Sequence, residues 1–214
     1  MGAARAYRAV FALVGWGALG LQYWLMLTGN PDKSPADLTL NFFSFFTILV
    51  NVLVAVALTL PVIGAGTRPG RWAGSEGVRA GVTMYAVVVG LVYHFLLHAT
   101  WNPQGWALVV NILLHYVMPL AMLLDWLLFT AKGQLRWIDA PKWLAFPLIY
   151  GGWTLIHGYA ADWWPYWFTD VSVLGLGRAA LYFAGLLVFF LVVGLAVVAI
   201  DRTIGRRDRT RVAA

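Results

Sequence analysis

Thr47 and His115 are the two side chains of this chain whose types and placement suit covalent chemistry. A threonine hydroxyl attacks an ester carbonyl once a base takes its proton. An imidazole, with an unperturbed pKa of about 6.5, is the side chain that does so near neutral pH. Each lies inside an apolar run, about 10 to 12 Å from the same expected membrane face at a rise of about 1.5 Å per residue. Asn51, one turn deeper than Thr47, suits an oxyanion donor, and Asn111, one turn above His115, suits a group that orients the ring. Ser44, one turn above Thr47, is a rival nucleophile. Asp125 lies ten residues beyond His115, about 15 Å deeper, too far to orient the imidazole. It is expected to pair with a base at the rim, such as Lys132 or Arg136, or to bind another helix.

The same residues also fit a purely structural reading. Ser44, Thr47 and Asn51 fall within about 60° of one another on a helix, and Asn111, His115, Met118, Met122 and Asp125 within about 80°. Such stripes bond transmembrane helices together, at about 0.6 kcal/mol per hydrogen bond on average. Spacing alone favours that explanation over catalysis, and a non-catalytic lipid-binding or transport protein is its functional counterpart. Metal or haem is a third class. His94 and His98 lie one turn apart and His157 ends another run, yet carboxylate ligands are missing nearby and no His-Glu-x-x-His pattern occurs. Haem between His115 and His94 has no sequence signal. His98 and His157 read as interfacial side chains, and no metal or organic cofactor is expected.

The elements that must position these groups are membrane helices. Of 214 residues, 61% are hydrophobic and 11% charged, against about 25% charged in soluble proteins. Six runs approach the length of about 20 residues that crosses hydrocarbon: Tyr7–Thr28, Leu40–Ile63, Val78–Ala99, Ala107–Phe129, Trp143–Ala160 and Ala179–Ile200. Pro147, Gly151 and Gly152 interrupt the fifth, which neighbouring helices can accommodate. The expected fold is therefore all-α, a single polytopic domain of six transmembrane helices over residues 1–214. Arg5 and Arg8 precede a first run longer than a signal-peptide core and without an Ala-x-Ala site, so it stays a helix.

Lys and Arg crowd one set of connecting segments, including Arg68, Arg71, Lys132, Arg136 and Lys142, while the other set has only Lys33 and Arg178. The positive-inside rule then places both termini in the cytoplasm, in what reads as a bacterial inner-membrane protein. The basic tail over 201–214, with Arg206–Arg211, suits anionic lipid. Nucleic acid is not an expected partner, because the cations flank spans instead of forming one face. Absence of cysteine excludes thiolate catalysis, iron–sulfur clusters and disulfides. Trp101–Gly105 reads as a tight turn. Asp162–Asp170 is an aromatic cluster, read as an interfacial belt or, functionally, as a lid or lipid-entry rim. No internal repeat of the transporter type is present.

Several segments carry a family resemblance: Asn41-Phe-Phe-Ser-Phe-Phe-Thr-Ile-Leu-Val-Asn51, Val92-Tyr-His-Phe-Leu-Leu-His98, Trp101-Asn-Pro-Gln-Gly105, Leu114-His-Tyr-Val-Met-Pro119 and Leu123-Leu-Asp-Trp126. Over nearly its whole length the chain resembles a bacterial group of six-span proteins. Around Thr47 and His115 it also resembles the eukaryotic androgen-induced-gene and androgen-dependent tissue-factor-pathway regulator proteins. Those are membrane threonine hydrolases that cleave fatty acid esters of hydroxy fatty acids with an intramembrane Thr and His. The resemblance implies that Thr47 and His115 are the catalytic pair of an esterase acting on membrane lipid esters; Ser44, Asn51, Asn111 and His94 are expected, from their placement, to bind substrate or support the site. Trp164-Pro-Tyr-Trp-Phe168 resembles an aromatic-Tyr-Pro loop of the family, except that Trp167 stands where proline is expected.

Overall fold

The computed structural model describes residues 2–212, with side chains as far as Arg206. Its helices run α1 (Gly2–Thr28), α2 (Pro35–Phe43), α3 (Phe46–Ile63), α4 (Arg68–Gly74), α5 (Glu76–Val92), α6 (Trp106–Ile112), α7 (Met118–Phe129), α8 (Asp139–Lys142), α9 (Ala145–Ala161), α10 (Val171–Leu174) and α11 (Leu176–Val212). No strand occurs among the described residues. Two π-helical turns, Tyr93–Leu97 and Leu113–Val117, interrupt the rods that begin with α5 and α6.

Five helical stretches are long and apolar enough to cross a membrane: Gly2–Thr28, Phe46–Ile63, Glu76–Thr100, Trp106–Phe129 and Leu176–Arg206. The chain thus has the build of an integral membrane protein. The expected run Trp143–Ala160 does form a helix, α9, but its 17 residues rise only about 25 Å, short of a hydrocarbon core of about 30 Å. The expected run Leu40–Ile63 is not one helix, because Ser44 and Phe45 separate α2 from α3.

Small residues let α1 approach its neighbours closely, the usual device where helices cannot gain from expelling water. Ala12, Gly15 and Ala18 are all buried on α1. A Cβ on Gly15 would come within 2.7 Å of the Met118 Cε. The central core joins Val54 and Leu58 of α3, Met84 and Val88 of α5, and Met118, Met122 and Trp126 of α7. From α11, Phe190 packs on Phe46, with ring centroids 5.4 Å apart.

The end of the bundle where α1 starts and where α11 passes Asp201 is basic and densely bonded. Asp125 is fully buried and pairs with Arg8 of α1 (Nε to Oδ1, 2.7 Å) and with Arg79 of α5. Arg79 also donates to the Thr130 hydroxyl at 3.1 Å and the Ala57 carbonyl at 3.1 Å. Of the two expected alternatives, Asp125 thus binds other helices, and the named bases Lys132 and Arg136 are not its partners. Lys132 instead donates to the carbonyls of Trp126 and Thr130 and lies over the Trp126 ring. Arg8 and Arg79 are far from Asp125 in sequence, and only helix packing makes them its neighbours. On α11 the buried Asp201 Oδ2 accepts from the Gly133 and Leu135 amides, at 2.9 and 3.0 Å. The side chains of Arg207, Arg209 and Arg211 in the basic tail lie outside the described residues.

Candidate functional site

The break between α2 and α3 creates the site. The Ser44 hydroxyl donates to its own Leu40 carbonyl at 2.8 Å, a local bond that competes with helix continuation. Phe45 then turns extended, with φ −84° and ψ 126°. Broken backbone at membrane depth must find partners inside the protein, and two tyrosines supply them. Tyr150 of α9 donates to the Ser44 carbonyl at 2.9 Å. Tyr166, from the loop between α9 and α10, accepts from the Thr47 amide at 3.3 Å. Its phenol oxygen also lies 3.4 Å from the Thr47 hydroxyl. Thr47 is thus the second residue of α3, at a helix start capped by a phenol instead of its own preceding residue.

Thr47, Tyr150 and Tyr166 share the wall of a cavity of about 220 Å³, otherwise lined by residues such as Phe46, Val89, Phe168, Phe183 and Phe190. An apolar cavity of about 150 Å³ already holds a benzene ring, so there is room here for a stretch of alkyl chain. Gly152, Leu155, Leu176 and Ala180 belong both to this wall and to the exposed surface, which opens the cavity sideways between α9 and α11. Gly151 leaves room there for the Phe183 ring, which would lie 2.3 Å from a Cβ at that position. The aromatic loop forms part of the cavity wall. Tyr166 and Phe168 stack at 5.2 Å and turn inward to the cavity, while Trp167 stays exposed against Tyr182.

His115 lies in the second π-helical turn, and Pro119 explains the local geometry. The Met118 amide bonds the Leu113 carbonyl, five residues back. In that register the Leu114 carbonyl would be next to receive an amide, but Pro119 has none to give. Asn51 fills the gap: its side-chain nitrogen donates to the Leu114 carbonyl at 3.0 Å and to the Thr47 carbonyl at 2.8 Å. One buried amide therefore ties the Thr47 and His115 segments together at a common level. The Leu114 carbonyl, left without an amide by Pro119, is the one that Asn51 joins to another helix.

The imidazole Nδ1 lies 3.0 Å from the Asn111 carbonyl. A carbonyl only accepts, so Nδ1 carries the hydrogen and Nε2 is the basic nitrogen. Asn111 thus orients the ring through its backbone, while its side chain donates to the Tyr93 hydroxyl at 2.6 Å. The Tyr93 ring stacks on the imidazole, 4.0 Å between centroids, and forms part of the cavity wall. His115 itself is behind that wall, and no hydrogen bond joins it to Thr47. The Thr47 hydroxyl meets Tyr166 instead.

The remaining expected site residues separate from the cavity. Ser44 is buried with its hydroxyl occupied on both sides, donating to Leu40 and accepting from the Trp153 indole at 3.0 Å. Both hydrogens of the Asn51 amide are committed to carbonyls, so it has none left for an oxyanion. His94 is exposed and meets the Tyr116 hydroxyl at 3.2 Å. His157 is not an interfacial side chain but a buried one, between Trp153 and Trp163. Among the described residues no three His, Asp or Glu side chains gather as a metal site.

Tyr166 and Tyr150 are the site residues that spacing did not mark, because both act on a helix break that is not itself visible in the sequence. Desolvation by burial raises the pKa of the Tyr166 phenol, partly opposed by its bonds to Thr47. It stays protonated throughout the neutral range. No family model, curated protein or solved structure matches this chain.

Proposed function

We propose that this protein is an intramembrane lipid ester hydrolase in which Thr47 is the nucleophile and His115 the base. The observation that carries the reading is the Thr47 hydroxyl at the wall of an apolar, laterally open cavity, beside a phenol. An acyl chain entering from lipid between α9 and α11 would bring its ester to that hydroxyl. Thr47 attacks the carbonyl, His115 takes the proton on Nε2 and later returns it to the leaving alcohol, and water hydrolyses the acyl-threonine. The Tyr93 ring that covers His115 has to yield for this transfer. Fatty acid esters of hydroxy fatty acids are the substrate class that the family resemblance suggests.

The membrane arrangement that goes with this proposal has six spans, α9 being the short one, and both termini in the cytoplasm of a bacterial inner-membrane protein. The positive-inside rule supports it, since Arg5, Arg8, Arg79, Lys132 and Arg202 lie at the same end of the bundle. The aromatic loop and the cavity then belong to the outer half.

A second reading is a lipid-binding or transport protein with the same cavity. It is favoured by one observation, the separate hydrogen-bond partners of Thr47 and His115. A fluorophosphonate probe separates the two. Labelling and ester hydrolysis that vanish in Thr47→Ala and His115→Ala but survive in Ser44→Ala support the hydrolase. Wild-type protein that retains bound lipid, yet neither labels nor hydrolyses a broad ester panel, supports the binding protein.

A further inference from the structure

We infer that Tyr166 is the hydrogen-bond donor that receives the ester carbonyl oxygen when Thr47 attacks, an assignment that rests on Thr47 acting as nucleophile. Its position meets the first requirement. The phenol oxygen is 3.4 Å from the Thr47 hydroxyl and on the same cavity wall, so a carbonyl carbon reached by Thr47 places its oxygen near the phenol. The second requirement is a free hydrogen. The Thr47 amide already donates to the Tyr166 oxygen at 3.3 Å, so the phenol is an acceptor toward the backbone, and its own hydrogen is left for the Thr47 hydroxyl, where either oxygen can donate, or for the cavity beside it.

The neighbouring donors are spent. Tyr150 donates to the Ser44 carbonyl at 2.9 Å, and Trp153 to the Ser44 hydroxyl at 3.0 Å. Thr154 and Thr169 bond the Tyr150 and Tyr166 carbonyls, each at short range. Asn51, the donor expected from sequence, serves two carbonyls. Burial keeps the phenol protonated, and in an apolar cavity one preorganised donor acts at full strength.

The step balances as follows. A bond forms from the Thr47 oxygen to the carbonyl carbon, and the π pair of the carbonyl moves onto its oxygen. Tyr166 donates a hydrogen bond to that oxyanion without losing its proton. The Thr47 proton goes to the base of the proposed dyad. On collapse the carbonyl reforms, the alcohol leaves with that proton, and Tyr166 returns to Thr47.

The test compares Tyr166→Phe with wild type in turnover of a lipid ester and in affinity for two inhibitors. One is a long-chain trifluoromethyl ketone, which Thr47 would convert to a hemiketal oxyanion; the other is the matching secondary alcohol, which forms none. Loss of a single oxyanion donor lowers kcat by about 10²- to 10³-fold. KM and alcohol affinity are expected to stay within about threefold, whereas the ketone loses affinity with kcat. A purely structural Tyr166 would weaken both inhibitors together. Should Tyr166→Phe fail to fold, 3-fluorotyrosine at the same position keeps the hydroxyl and makes it a stronger donor, and ketone affinity is expected to rise several-fold. Unchanged kcat and ketone affinity in Tyr166→Phe, in a protein whose turnover is lost in Thr47→Ala, overturns the assignment of Tyr166 alone. An inert wild type overturns the nucleophile reading and this one with it.

Discussion

Asp125→Ala is expected to destabilise the fold more than any other single side-chain truncation at the basic end. Asp125 has no exposed surface, and its two partners differ: the Arg79 side chain is 1% exposed and the Arg8 side chain 15%. Removing the carboxylate strands the Arg79 guanidinium in the core, where its bonds to Thr130, Ala57 and Ala73 are to neutral groups. Breaking a buried pair in this way costs about 3–5 kcal/mol, mostly as the penalty of an uncompensated charge. At about 2–4 °C per kcal/mol for a chain of this size, the melting temperature falls by about 6–20 °C. Arg8→Met should cost much less, because Asp125 keeps Arg79. The double variant Asp125→Leu with Arg79→Met removes both buried charges and is expected to recover most of the loss, since Arg8 can extend toward the rim. Thermal unfolding of purified protein in one detergent, all four proteins side by side, measures this. A loss below about 1 kcal/mol in Asp125→Ala, within the range of an exposed pair, or a double variant no more stable than the single, refutes the reasoning.

Other contacts give sharper local tests. A Cβ at Gly205 would sit 2.4 Å from the Gly133 Cα and 2.5 Å from its nitrogen, and backbone cannot swing aside. Gly205→Ala should therefore cost about 1–3 kcal/mol and loosen the loop held by Asp201, seen as faster hydrogen exchange at Gly133 and Leu135. Pro119→Ala restores an amide that can bond the Leu114 carbonyl now served by Asn51. In that background Asn51→Leu should cost about 1 kcal/mol less than in wild type, a coupling read from a double-mutant cycle; strict additivity would contradict the account of the π-helical turn. Gly151→Ala should push the Phe183 ring, 2.3 Å from the new Cβ, into the cavity. Uptake of a fluorescent fatty acid is expected to fall, and adding Phe183→Leu to restore it. Equal uptake by all three proteins would show that the acyl chain binds elsewhere.

Much of the architecture could be read from the chain because hydrocarbon imposes a simple rule. Backbone in lipid must bond within its own helix, so long apolar runs become helices whatever their neighbours. The runs around Tyr7–Thr28, Val78–Ala99, Ala107–Phe129 and Ala179–Ile200 accordingly lie within helical stretches, although α1 begins earlier, at Gly2, and α11 runs on past Ile200 to Val212. The run ending at Ala160 was legible as a helix, although α9 is too short to meet the spanning length unaided. Equal depth of the Thr47 and His115 segments was also legible from residue counting, and Asn51 bonds both of them.

What the chain by itself determined, then, is an all-helical membrane protein with a hydroxyl and an imidazole at matching offsets along two of its rods. Those properties follow from composition and from a constant rise per residue, which need no knowledge of partners. Packing alone decided the break after Ser44, because no proline or glycine marks it and its freed groups are satisfied by Tyr150 and Tyr166, more than 100 positions away. It also decided that Asp125 meets Arg8 and Arg79, that Asn51 is a strut instead of a donor, and that His115 stacks behind Tyr93. Each of these depends on which helix faces which, and an apolar run carries little record of its neighbours.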